Sequence, residues 1–205
     1  MKRRLCLGGL LACAGFAASP WAGAQPLSLS ELGEEWQKLP LRGQGIFRFW
    51  GLEIYEASLW LPAEAGTAWT THRLVLSLQY RRNFSAQDIA QRSLQEMLRQ
   101  GPLADALAQQ WQRQLTEALS DVRPGERLTA VYDPQKGLRF WHHAQRARVS
   151  GHIDDRALAH KFLGIWLSES TSAPALRQAL LGQRDRKSTR LNSSHVTTSR
   201  MPSSA

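Results

Sequence analysis

Apolar and polar residues alternate most cleanly in RLVLSLQYRR, residues 73–82, where Leu74, Leu76, Leu78 and Tyr80 share one face of an extended chain and Val75 takes the other. Period two with one apolar face predicts a half-buried strand. Residues 42–61 also read as strand, but their parity is uneven: Phe47 and Phe49 share one face, Leu52 and Ile54 the other. Gly51 sits at the slip, where a bulge or kink between two strand halves is expected. Upstream, residues 27–38 predict a short polar helix or loop with Trp36 as its anchor.

The period then changes from two to about 3.6. In SAQDIAQRSLQEMLRQG, Ser85 is a suitable N-cap with Asp88 three residues on, and Ala86, Ala90, Leu94, Met97 and Leu98 form an apolar stripe that stops at Gly101. Pro102 is expected to open a second helix with the stripe Leu103, Leu107, Trp111, Leu115 and Leu119. Such a helical hairpin has one greasy side and needs a sheet to lie on.

After Arg123-Pro124-Gly125 the period returns to two. ERLTAVYD, GLRFWHH and RARVSGHI predict a three-strand meander, turning at 133–137 and 143–146. A third helix is expected from Asp154-Asp155, carrying Leu158, Phe162, Leu163 and Trp166. A short fourth runs from Ser172 as cap, with Pro174 in its first turn, to Gly182. Strands, helices, strands and helices in that order predict an α+β fold: an antiparallel sheet with helices on one face.

The ends of the chain read differently from its middle. Lys2, Arg3 and Arg4 precede an apolar stretch from Leu5 to about Ala18, then Ala22-Gly23-Ala24, the layout of a secretory signal peptide cleaved after Ala24. The stretch is too short for a stable membrane span. A lipoprotein signal using Leu10-Leu11-Ala12-Cys13 is the weaker alternative; periplasmic delivery is the expectation. Residues 185–205, from DRKSTRLNSSH to SRMPSSA, show no apolar periodicity and match reading frames of a common sequencing-library adapter. The expected domain is therefore 25–184.

That boundary changes the charge. The whole chain has a formal net charge of +9, but residues 25–184 hold 19 basic and 16 acidic groups, a net of +3. Basicity is thus no argument for nucleic acid as a partner. Both cysteines, Cys6 and Cys13, lie in the signal, so residues 25–184 have no disulfide, thiol nucleophile or thiolate metal site.

Candidate chemistry is sparse. His142 and His143 are strand neighbours that point to opposite faces, so they do not chelate one ion together. There is no Gly-rich phosphate loop and no Gly-x-Ser-x-Gly elbow, and no metal or other cofactor is implied. Arg92 and Glu96, four apart on the first helix, read as a surface ion pair. Trp141 and Trp166 read as core, and Tyr80-Arg81-Arg82 as a solvated strand end.

GLEIYEASLW, LQYRRNFSAQDIAQRSLQEM, PGERLTAVYDPQKGLRFW and FLGIWLSESTSAPALRQALLG, in this order, resemble the chalcone isomerase-like family, in particular its secreted bacterial members. The resemblance implies an open-faced β-sandwich, a large antiparallel sheet covered by helices with a ligand cleft between them. The plant enzyme that names the family closes a flavanone ring by electrostatic catalysis. The resemblance places its strand threonine at Tyr55, helix tyrosine at Ile89, asparagine at Glu96, late threonine near Ile165 and arginine close to Gly43, with Arg42 and Arg48 nearest. Four positions differ, two have lost every polar atom, and a carboxylate at Glu96 disfavours the negative charge the reaction develops.

Three functions remain open. The leading one is a non-catalytic protein binding an apolar or, as the resemblance implies, fatty-acid-like small molecule, with Arg48, Tyr55, Ile89, Glu96, Ile165 and Trp166 as candidate ligand residues. The second is an isomerase or lyase on an unknown substrate, with Tyr55 as acid and Arg48 as oxyanion clamp. The third is a structural or interaction protein of the envelope with a closed cleft; independently of these, Arg48 and Glu53 also read as a cross-strand pair on the sheet rim with Tyr55 as core. Oligomeric state is left open.

Overall fold

The computed structural model describes residues 27–183; the signal peptide and adapter readings fall on residues outside this range. Six strands form one antiparallel sheet in strictly sequential order: β1 Leu41–Phe49, β2 Leu52–Trp60, β3 Leu74–Tyr80, β4 Arg127–Asp133, β5 Gly137–His143 and β6 Ala147–Ile153. Helices α1 Ala86–Arg99, α2 Asp105–Ala118, α3 Arg156–Leu167 and α4 Pro174–Leu180 cover one face. The α+β sheet-and-helix architecture expected from the periodicity is what forms.

The uneven parity of 42–61 has a sharper cause than a kink. The chain reverses completely at Trp50-Gly51, pairing Phe49 with Leu52. Both loop residues have positive φ, 52° and 76°, the backbone of a type I′ two-residue turn. A bulge does occur, but at Ile54: Phe47 faces Tyr55 while Arg48 faces Glu53, leaving Ile54 as the extra residue.

β3 is buried at all seven positions rather than on one face. Leu74, Leu76, Leu78 and Tyr80 enter the main core beneath the helices. Val75 packs on the opposite face with Trp60 and Val131, under a strap of 3-10 turns that supplies Leu29, Leu32 and Trp36. Burying each such aliphatic side chain contributes about 1.5–3 kcal/mol, so the strap is held mainly by its own three large apolar residues. Alternation within 73–82 could not reveal this cover, which arrives from outside the segment.

Local signals fix the helix ends. Ser85 Oγ accepts from Asp88 N at 3.0 Å and Asp88 Oδ2 accepts from Ser85 N at 3.3 Å, a reciprocal cap. Asp155 caps α3 through Ala157 N and Leu158 N, and its other oxygen accepts from Trp111 Nε1 at 3.0 Å, tying α2 to the start of α3. Two expected starts shift. Leu103 and Ala104 stay outside the helix after Pro102, so α2 begins at Asp105. Ala173 caps α4 in place of Ser172, because Thr171 Oγ1 takes the Ala173 N–H.

The α1–α2 hairpin leaves and rejoins the sheet at one neck. Beyond the β3–β4 ladder, Phe84 and Val122 exchange backbone hydrogen bonds of 3.0 and 2.9 Å.

Two histidines are expected to make the fold acid-sensitive. Burial pushes the His143 imidazole below its ordinary pKa, against the opposing pull of Glu31 at 3.2 Å. Burial also lowers His160, whose Nε2 lies 2.7 Å from Tyr132 Oη, and Arg156 adds to that shift. In the unfolded chain each takes up its proton near pH 6.5. The folded state binds it only at lower pH, so their contribution is complete above about pH 6.5 and is lost as pH falls through the folded-state values. Melting temperature is expected to decline below pH 6.5, less steeply in a His143→Gln, His160→Gln variant; identical pH profiles would refute the assignment.

Candidate functional site

The sheet and helices do not close completely on each other. Between them lies a cavity of about 460 Å³, within the range of small-molecule sites. Its floor is the inner face of the sheet: Leu76, Leu78 and Tyr80 from β3, Leu128 and Ala130 from β4, and Phe140 from β5. The β1–β2 hairpin contributes Phe47, Phe49, Ile54 and Tyr55 as a side wall. The roof is Ile89, Arg92, Ser93 and Glu96 of α1 with Phe162, Ile165 and Trp166 of α3.

These side chains converge because each element keeps its period. Tyr55 pairs with Tyr80 across the β2–β3 ladder, and Leu76 with Ala130, which in turn pairs with Phe140. On α1, Ile89, Ser93 and Glu96 are spaced by four and three residues and therefore share one face. Ala90 and Met97 are buried as expected, but Leu98 is 41% exposed while Ser93 and Glu96 are buried. The stripe is rotated because part of this helix roofs a cavity.

The Arg92–Glu96 ion pair forms as expected, but it reaches the surface only on its arginine side. Glu96 is only 8% exposed; its Oε1 accepts from Arg92 at 2.6 Å, and Arg99 lies 3.8 Å from its other oxygen. Tethering neutralises a carboxylate that would be costly to bury alone.

Tyr55 sits in an aromatic nest. Its ring stacks on Phe47 with centroids 5.1 Å apart and meets Tyr80 and Trp166 edge-on. Its hydroxyl oxygen accepts from Trp166 Nε1 at 3.0 Å. Burial raises the phenol pKa far above its ordinary value; the Trp166 hydrogen bond opposes this, Glu96 adds to it and Arg92 opposes it. Like an ordinary phenol the hydroxyl is protonated at neutral pH, and burial makes it a more reluctant acid. Tyr80 is raised for the same reason, burial first and Tyr55 second.

Of the sequence candidates, Tyr55, Ile89, Glu96, Ile165 and Trp166 all line this cavity, and Arg48 does not. Arg48 is 55% exposed and bonds to Glu53 at 2.6 Å across the hairpin. The acid-and-clamp pairing of Tyr55 with Arg48 is not assembled. Arg42 is engaged elsewhere, donating to Leu181 O and Ala63 O. Ser93, Arg92 and Phe47 were not singled out as lining from the sequence, although the i+4 step from Ile89 to Ser93 was a readable signal. Among the described residues, no group of three or more His, Cys, Asp or Glu side chains is placed to hold a metal ion, and no helix is long and apolar enough to cross a membrane.

No curated protein matches the chain in sequence. Among solved structures, the crystal structure of a fatty-acid binding protein from Arabidopsis thaliana shares the fold with a TM-score of 0.53 at 14% identity, over 70% of this chain and 86% of that one. The family model described as chalcone isomerase-like matches residues 27–182, and the chain belongs to that family.

Proposed function

We propose that the protein is a non-catalytic periplasmic binder of an apolar, fatty-acid-like small molecule, delivered by the N-terminal segment 1–24. One observation carries the reading: an apolar cavity of about 460 Å³ whose few polar groups are already satisfied by one another or stand ready to bond a ligand oxygen. Arg92 and Glu96 neutralise each other, and Trp166 fills one acceptor site of Tyr55. The Tyr55 O–H is then the donor that fixes the ligand's oxygen-bearing end, while its chain lies over Leu76, Ala130 and Phe140. Supporting this, the Arabidopsis protein of the same fold is a fatty-acid binding protein.

Mass spectrometry of an organic extract of the purified protein is expected to show an acyl-chain compound in stoichiometric amount; an empty protein that also fails to take up added fatty acid would refute the reading. Tyr55→Phe removes the donor and leaves the Trp166 N–H without its acceptor. Losing one such bond costs about 1 kcal/mol, so ligand affinity is expected to drop about five- to tenfold. Cell fractionation tests delivery: the full chain is expected in the periplasm and a chain lacking residues 1–24 in the cytoplasm.

A further inference from the structure

The β1–β2 hairpin ends in Phe49-Trp50-Gly51-Leu52, and its tip is built against the usual rules for a turn. Position 50 has φ of 52°, a conformation that favours glycine or asparagine, yet it carries the bulkiest side chain available. That indole is 89% exposed, with Phe49 at 47% and Leu52 at 49% beside it. Trp36, Trp60, Trp69, Trp111 and Trp166 are all buried. An apolar cap with one outward tryptophan contributes little to the core and so calls for a partner.

Three features identify the partner. The cap consists of three side chains, far short of the roughly 800 Å² per partner that a stable protein interface buries. Its rim carries both charges: Arg48 and Glu53, paired and both exposed, and the half-exposed Arg92, whose guanidinium lies 5.5 Å over the Phe49 ring. A surface of paired guanidinium and carboxylate groups complements a zwitterionic headgroup, phosphate to arginine and ammonium to glutamate. The cap is also continuous with the cavity, since Phe49 belongs to both and Phe47 and Ile54 follow directly behind it.

We propose that the hairpin tip docks on a lipid bilayer, with Trp50 at the headgroup level and Phe49 and Leu52 below it, seating the cavity mouth on the membrane. An indole suits that layer, with an apolar body and a polar N–H. An apolar ligand then passes between bilayer and cavity along Phe49 and Phe47 without crossing water; this last step rests on the binding function proposed above, whereas the docking does not.

The test is flotation with vesicles of phosphatidylethanolamine and phosphatidylcholine, combined with tryptophan emission. The protein is expected to float, its emission to shift to the blue, and acrylamide quenching of Trp50 to fall. Trp50→Asn creates an Asn-Gly turn that the hairpin favours, so it folds, and it is expected to lower vesicle partition about tenfold. Trp50→Phe is expected to keep much of the partition. Wild-type protein that does not float, or Trp50→Asn that floats equally well, overturns the proposal. So does concentration-dependent dimerisation that vanishes in Trp50→Asn without any flotation, because the cap then serves a second copy. Extracted ligand is measured in parallel: ligand-loaded protein that ignores vesicles defeats docking alone, and floating protein that binds no fatty acid defeats the binding function alone.

Discussion

Gly43→Arg is expected to cost about 3 kcal/mol or more of stability and to detach α4 from the sheet. A Cβ on Gly43 would run into the carbonyl oxygen of Ala179 and come within 2.6 Å of Leu180 O, both backbone atoms of α4. Backbone does not yield as a side chain does, so even Gly43→Ala falls in the overpacking class. For a domain of this size, 3 kcal/mol corresponds to a fall in melting temperature of roughly 6–12 °C. Gly45→Ala is the control: its Cβ meets only the side chains of Leu176 and Ala179. Equal melting temperatures for the two alanine variants would refute the argument. The family resemblance placed an arginine close to this position. Here the backbone of α4 fills the space that a side chain at Gly43 would need, so an arginine there would displace the helix.

Ala130→Phe is expected to abolish ligand binding, by about a hundredfold or more, while the fold survives. Ala130 lies mid-floor between Leu76 and Phe140, and its methyl group faces the cavity. A ring added there enters space that a ligand would occupy, where overpacking of a filled core would instead cost 1–3 kcal/mol. Calorimetric titration with a long-chain fatty acid measures the first effect and thermal melting the second. A variant that melts like the wild type and binds equally well would place the ligand somewhere else.

The order of β3 to β6 and of the four helices was legible because most of them hold their period over several residues, whereas the broken parity of 42–61 concealed two strands. Events between elements were less so. Gly51 alone reads as a bulge; recognising a reversal required position 50 to adopt positive φ, which tryptophan gives no reason to expect. That reversal also decides Arg48. It turns the side chain back upon Glu53 and away from the cavity, whereas Tyr55, beyond the bulge at Ile54, points inward. Glu96 reads as exposed from its spacing to Arg92 alone, whereas the family resemblance places it in the cleft, where it is buried. Its burial depends on α3 and the sheet, which local sequence does not encode. Val75 likewise is buried by residues about forty positions upstream, Leu29, Leu32 and Trp36.

The neck at Phe84 and Val122 has a mechanical consequence. Because α1 and α2 depart from and return to adjacent strands at a single point, they can swing away as one flap, with every rung of the six-stranded ladder intact. What resists the swing is the burial of Ala90, Met97, Trp111 and Leu115 in the main core, together with the bonds from Gln100 to Lys161 O, Lys161 to Gly101 O, Trp111 to Asp155 and Ser150 to Ala118 O. Hydrogen exchange should therefore reach the amides of both helices together, well before those of β3 and β4.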